Sequence, residues 1–330
     1  MDRLHALDAW LRAALPGVAF TLETASADAS FRRYFRVADG ARTWIAMDAP
    51  PTQEDCRPFV RIAAMLRAAG VHAPDVIAQD LEQGFLLLTD LGRQTYLHVI
   101  DSRNADRLMA DATVALVRWQ LASREGELPP YDKALLRREL DLFPEWYVGR
   151  HLGVTLTPAE RASLEEVFAR ILGSNLAQAR VYVHRDFMPR NLMVSDPNPG
   201  VIDFQDAVHG PVSYDIASLA RDAFLTWEEE RVLDWTIRYW ERARKASLPV
   251  PADFAVFWRD VEWMGLQRHL KVLGIFARIK HRDGKDGYLE DAPRFVAYVR
   301  HATTRYGELA PLARLMDRLE SVAPVTREAS

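Results

Sequence analysis

The sequence predicts an α+β chain of two lobes, a small β-rich lobe over residues 1–92 and a larger, mostly helical lobe over residues 93–330. Three observations carry this. Apolar residues alternate in short runs between residues 19 and 88, separated by turn-forming residues. From about Arg103 the apolar spacing becomes helical and stays so. A chain of 330 residues also exceeds what one hydrophobic core usually organises, so two cores are expected.

Residues 1–17 mix Asp2, Arg3, Asp8 and Arg12 with apolar positions and read as an amphipathic helix; a secretion signal would need an uninterrupted apolar stretch. A strand is predicted over 19–24, a small-residue turn over 25–30 and a second strand over 31–37. Asp39-Gly40 is a hairpin signal leading into a third strand over 43–47. Pro50 and Pro51 end that sheet segment, and Phe59, Ile62, Ala63 and Leu66 place a helix over 54–69, stopped by Gly70. Residues 76–79 and 85–88 form a further strand pair, and Leu91-Gly92 turns the chain out of this lobe. Helices are predicted within 107–123, 157–176, 227–245, 251–279 and 293–306. An island over 181–208 interrupts them with short apolar strands and polar loops.

Composition narrows the function. A formal net charge of −4 argues against a protein that grips nucleic acid through its backbone, which needs clustered cations. The single cysteine, Cys56, can form neither an internal disulfide nor a cysteine-based zinc site, which points to the cytoplasm. No apolar run approaches the roughly 20 residues of a membrane span, so no membrane partner is expected. The histidines have no metal-ligand spacing, and neither H-E-x-x-H nor a nucleophile elbow occurs. No repeat appears, and nothing points to an oligomeric state.

The island carries the chemistry. It reads Val-His184-Arg185-Asp186, then Asn191 five residues on, then Val-Ile-Asp203-Phe204 after a turn. Strand ends related by a hairpin can bring a carboxylate, an amide and a second carboxylate to one edge. Phosphoryl transfer needs this set: an acceptor that orients the attacking hydroxyl, and hard oxygen ligands that hold magnesium on the phosphates. The H-R-D-x-x-x-x-N spacing followed by D-F matches the kinase catalytic signature.

With these strings on the page, the chain resembles the aminoglycoside phosphotransferase and choline kinase superfamily, a branch of the protein-kinase-like bilobal fold. Gly210-Pro211-Val212-Ser213-Tyr214-Asp215-Ile216-Ala217 is similar to its G-x-P-x-x-D-L-A segment, and Leu86 to Gly92 to its hinge. Ser30 to Arg36, Met47 to Pro51, Asp203 to Ala207 and Gln267 to Gly274 are similar to the bacterial anomeric kinases of N-acetylmuramate and N-acetylglucosamine. The resemblance implies ATP-dependent phosphorylation of the sugar's 1-hydroxyl in peptidoglycan recycling, with Mg2+ as cofactor. Aminoglycoside, choline or homoserine kinases of the same fold, and a nucleotide-binding pseudokinase, are the alternatives.

The resemblance also implies roles. Asp186 would be the catalytic acceptor, Asn191 and Asp203 the magnesium ligands, His184 a bracket for the loop, and Asp215 its brace or simply a helix N-terminal carboxylate. The adenine would bond the backbone at Thr89 and Leu91, with Leu88 guarding the pocket. One departure is clear: the third strand, Trp44-Ile45-Ala46-Met47-Asp48, lacks the lysine that usually meets the phosphates, and residues 1–132 contain no lysine. Ser30, Arg32 and Arg33 are the substitute candidates, arginine being a good phosphate binder by its fork geometry. Arg185 either neutralises charge near Asp186 or is a surface cation. For the sugar, Glu145 and Trp146 in an aromatic-rich break that is otherwise core, Asp206, which is otherwise a turn former, and Arg268 with Lys271 are candidates. Arg268 and Lys271 lie off the Leu266, Leu270, Leu273 stripe, on a face that is either solvated or turned to a lactyl carboxylate.

Overall fold

A computed structural model describes residues 3–26 and 31–322. Helix α1 (Arg3–Ala14) precedes strands β1 (Thr21–Ser26), β2 (Arg33–Asp39) and β3 (Arg42–Asp48), helix α2 (Arg57–Ala68), and strands β4 (Val76–Asp80) and β5 (Phe85–Thr89). The five strands form one antiparallel sheet in the order β1-β2-β3-β5-β4. The turn predicted over 25–30 is described only as far as Ser26, where β1 ends; Ser30 lies outside the described residues.

Register follows the pleat, because successive side chains point to opposite faces. Phe35 stands opposite Ala46, and Ala46 opposite Leu87. Val37, Ala46, Phe85 and Leu87 are buried together with Leu7 and Leu11, the i and i+4 pair of α1. The opening amphipathic helix therefore covers the sheet. The four apolar positions read for the second helix, Phe59, Ile62, Ala63 and Leu66, are the buried face of α2.

Beyond the sheet come α3 (Tyr96–Val99), α4 (Ala105–Leu121) and α5 (Lys133–Leu142), which continues directly into a π-helical segment, Phe143–His151. The aromatic-rich break is thus a widened helix. Then follow α6 (Pro158–Ala177), β6 (Arg180–Val183), β7 (Leu192–Met193), β8 (Gly200–Val201), β9 (Val208–Pro211), α7 (Tyr214–Ala220), α8 (Glu229–Lys245), α9 (Phe254–Asp283), α10 (Ala292–Arg305) and α11 (Ala310–Val322). β6 pairs with β9 and β7 with β8. Capping marks several starts. At α6, Thr157 and Glu160 bond reciprocally with Pro158 at the first helical position; at α5, Asp132 accepts from the Leu135 amide at 2.8 Å.

The described chain falls into two compact units. One contains the residues up to Ala122 with Pro189–Ala207; the other contains Ser123–Met188 and the residues from Val208 onward. Helix α4 and the β7–β8 hairpin therefore belong with the sheet. Among the described residues, no helix is long and apolar enough to cross a membrane.

Helix α9 is the spine of the second unit, buried on all sides from Val261 to Gly274. This overturns the solvated alternative for its polar face: Gln267, Arg268 and Lys271 are all inside. At Gly274 a Cβ would stand 2.4 Å from the Leu142 carbonyl carbon, so α9 meets the end of α5 only because that residue is glycine. Carboxylates of Glu229 and Glu262 share His301 with Arg221 and Arg305, tying the α7–α8 region, α9 and α10 together.

Candidate active site

The His184-Arg185-Asp186 string hangs from β6. Tyr182 pairs with His209 and Val183 with Val208, so β9 leads α7 in beneath the end of β6. That approach is tight. A Cβ on Gly210 would lie 2.6 Å from the Tyr131 Cβ, while the Tyr131 amide donates to the His209 carbonyl at 2.8 Å. Asp215, in the first turn of α7 and fully buried, then accepts from the His184 amide at 2.7 Å and the Arg185 amide at 3.0 Å. Burial pushes its carboxyl up to about 7, against the pull of those two amides. The Asp186 amide donates to His184 Nδ1 at 3.3 Å, and the His184 ring stands edge-on to Phe187. Asp215 is thus a first-turn residue of α7 whose two carboxylate oxygens take the His184 and Arg185 amides.

Asn191 and Asp203 flank the β7–β8 hairpin, with Leu192 opposite Val201. Their side chains meet, Asn191 Nδ2 donating to Asp203 Oδ2 at 3.2 Å, and the Ile202 amide closes the pair on the Asn191 carbonyl. Gln205 Nε2 holds the other Asp203 oxygen at 2.9 Å. Arg185 (φ 77°) and Asp203 (φ 64°) both have left-handed backbone, which costs a residue other than glycine about 1–3 kcal/mol and clusters at functional sites. Asp186 lies in the helical unit, Asn191 and Asp203 in the sheet unit.

Arg185 is not the surface cation that one of its two readings made it, and the charge of Asp186 does act on it. Its mostly buried guanidinium donates to Glu139 of α5 at 2.6 Å. Lys271 bonds the same carboxylate at 2.9 Å and the Tyr214 hydroxyl at 3.1 Å. Burial raises the Glu139 carboxyl, but Lys271, Arg185 and the Tyr131 hydroxyl outweigh it and leave it below the usual carboxylate range. Arg268 and Lys271, neighbours by spacing, serve different partners. Arg268 is 2% exposed, its Nη2 touches the Met188 sulfur at 3.8 Å, and its Nη1 has no hydrogen-bond partner among the described residues. In the π-helical segment Phe143 and Tyr147 are core, Trp146 is half-buried and Glu145 exposed.

In the sheet unit Leu88 is buried, and the Thr89 amide donates to the Asp75 carbonyl at 3.0 Å. Arg36 donates to Asp90 at 2.7 Å and to the Gly92 carbonyl at 2.8 Å, bracing the segment that carries Leu91. Arg33 bonds Asp48, which also accepts from Arg3. Arg32 bonds Glu54 at 2.8 Å; burial opposes its charge, but Tyr34, Glu54 and exposed Asp206 raise it above its ordinary value. Sequence reasoning missed Glu139, Tyr131, Arg36 and Gln205. The helix holding Glu139 was legible from the Asp132 cap and from Leu136 and Leu140, whereas nothing local marks Arg36 as the partner of Asp90.

The chain is 56% identical over 303 residues, 92% of it and 89% of the relative, to an N-acetylmuramate/N-acetylglucosamine kinase of Pseudomonas putida. It is 53% identical, over 96% of itself and 97% of the relative, to the Pseudomonas aeruginosa protein of the same name. Its fold is shared at 13% identity by the choline kinase LicA from Streptococcus pneumoniae, with a TM-score of 0.65 over 92% of this chain and 100% of that one. The ADP-bound aminoglycoside phosphotransferase APH(2'')-Ib shares it at 15% identity and a TM-score of 0.60, over 92% and 99%. The model of the phosphotransferase enzyme family, APH, matches residues 21–254, and the chain belongs to that family.

Proposed function

We propose that this chain is an ATP-dependent kinase of the anomeric (C1) hydroxyl of N-acetylmuramate, N-acetylglucosamine or both, acting in the cytoplasm in the recycling of peptidoglycan sugars. The observation that carries the reading is the 53–56% identity to kinases of that name in a chain whose sequence has Asp186, Asn191 and Asp203 at the spacing of the kinase signature. Asp186 orients the sugar hydroxyl and takes its proton. An anomeric hydroxyl is more acidic than an ordinary alcohol, so positioning matters more than the strength of the base.

Asn191 and Asp203 offer amide and carboxylate oxygens, the hard donors that suit Mg2+. The buried Gln205 Oε1, beside Asp203 and without a partner among the described residues, adds an oxygen to that set. Magnesium, when bound, supplies positive charge to the phosphates. The adenine is assigned to the Thr89 carbonyl and the Leu91 amide next to Leu88, because the Thr89 amide is already engaged by Asp75. Ser30, Arg32 and Arg33 are assigned to the phosphates. On the sugar side, the unfilled donor of Arg268 suits the lactyl carboxylate of N-acetylmuramate, while Trp146, Glu145 and Asp206 suit C–H faces and hydroxyls.

The test supplies ATP and magnesium with N-acetylglucosamine, N-acetylmuramate and their 1-O-methyl glycosides. The free sugars should turn over and the methyl glycosides should not. Phosphorylation of the glycosides would remove the anomeric assignment. Nucleotide binding without turnover of any sugar would favour a pseudokinase instead.

A further inference from the structure

Glu139 is a buried charged group that phosphoryl transfer by Asp186 and its partners does not use directly. Glu139 is 5% exposed and accepts three hydrogen bonds: from Arg185, from Lys271 and from the Tyr131 hydroxyl. The donors come from the catalytic loop, from the middle of α9 and from the segment before α5. The Tyr131 ring also lies under the Arg185 guanidinium at 5.6 Å and 5.3 Å from the Tyr214 ring. Arg185 immediately precedes Asp186, and its own backbone is left-handed. Arg185 and Lys271 both touch Glu139, and the charge of Asp186 acts on both as well.

We propose that Glu139 is a positioning residue for phosphoryl transfer: by holding Arg185 and Lys271 on itself, it keeps both cations from turning onto Asp186 and so fixes where that carboxylate meets the sugar hydroxyl. The inference rests on the reading of Asp186 as the acceptor. The charge count supports it. Two cations and Glu139 sum to +1, and Asp186 brings the group to zero. Removing the Glu139 charge takes from both cations the carboxylate they touch and leaves the charge of Asp186 acting on both, and a buried cation seeks a partner strongly. The same geometry assigns Lys271 to the loop's support and not to the sugar.

The test measures kcat and KM for ATP and sugar, with thermal unfolding alongside, for Glu139→Gln, Lys271→Gln, the double variant and Asp186→Ala. Glutamine keeps the size of Glu139 and an acceptor for Tyr131. A misplaced reacting group can cost on the order of 100-fold, so Glu139→Gln should lower kcat about 50-fold with both KM values within about twofold. Lys271→Gln should lower kcat about fivefold, again at unchanged sugar KM. The double variant should lose only about tenfold, well short of the product of the singles, because it removes one of the two stranded cations and leaves Arg185 alone; coupled neighbours deviate from additivity by about 2- to 150-fold. If Glu139→Gln fails to fold, the double variant carries the test: a kcat about tenfold down at unchanged KM supports the proposal, and a normal kcat overturns it. A raised sugar KM at normal kcat in either single variant would also overturn it. An inactive Asp186→Ala beside a fully active Glu139→Gln would overturn this inference alone. A fully active Asp186→Ala would remove the reading of Asp186 beneath it.

Discussion

Replacing Asp215 by Asn isolates the brace of the catalytic loop. The wild-type carboxylate takes two backbone amides, from His184 and Arg185, inside a fully buried site. Asparagine keeps one oxygen and turns an NH2 group toward the second amide, so one charge-assisted bond is lost and one buried N–H faces another donor. A hydrogen bond to a charged group contributes about 1.5–3 kcal/mol and an orphaned buried donor costs about 1–3 kcal/mol. The sum is reduced because burial already disfavours the charged carboxyl, pushing it up to about 7, and a neutral amide escapes that penalty. A net loss of about 2–4 kcal/mol follows, a drop in Tm of roughly 5–10 °C for a unit of this size. Turnover should fall further than stability alone accounts for. The freed Arg185 amide no longer holds a left-handed backbone, and displacement of Asp186 by an ångström can cost about 100-fold. Steady-state ADP release and thermal unfolding at one pH measure both. A variant with Tm within a degree or two of wild type and kcat within threefold would refute the brace.

Four further outcomes are expected. Asn191→Ala should raise the magnesium concentration for half-maximal rate by about tenfold or more, and Asp203→Ala should lower turnover by about 1,000-fold in a folded chain; an unchanged magnesium midpoint would remove Asn191 from the ligand set. Arg268→Gln should raise KM for N-acetylmuramate about 10- to 100-fold while leaving N-acetylglucosamine within about threefold, since only the former carries a carboxylate for a charged hydrogen bond; equal effects on both sugars would rule out that contact. His301 is raised to about 9, first by the carboxylates of Glu229 at 3.2 Å and Glu262 at 3.5 Å, against an ordinary value near 6.5. Its stabilising contribution is therefore complete below about pH 6.5 and lost as pH rises through about 9. Tm should fall over that interval, and His301→Gln should flatten the slope; a variant as pH-sensitive as wild type would contradict the assignment.

The sheet unit was legible because its signals are local. Alternation, the Asp39-Gly40 turn and the apolar face of α2 each specify their own structure, and the β5 strand differs from its predicted span by one residue. The catalytic string was legible for a similar reason: Asn191 and Asp203 flank one short hairpin, and Asp186 follows a short strand. What escaped depends on pairing distant in sequence. Glu139 meets Lys271 across 132 positions of chain, and Arg36 meets Asp90 across 54. Periodicity misjudged Arg268 and Lys271 because a helix buried on every side has no solvated face, and its polar residues must find partners inside.

The missing lysine is the point where sequence and structure inform each other most. Asp48 ends β3 fully buried, where a lone carboxylate would be costly, and it is matched by Arg3 of α1 and Arg33 of β2. Counted together, +1, −1 and +1 leave one positive charge at this end of the strand, the charge a lysine would have supplied. It is carried differently. A lysine is a single flexible ammonium, whereas here the charge sits on planar forks held at one edge by Asp48, with Arg33 Nη1 on the side away from those bonds. Arg32 is in another situation, matched by Glu54 and drawn on by Asp206, so its pair with Glu54 sums to zero. Of the two arginines assigned to the phosphates, Arg33 is therefore the one that retains net charge to offer, and the reading of a nucleotide site without a lysine depends on it more than on its neighbour.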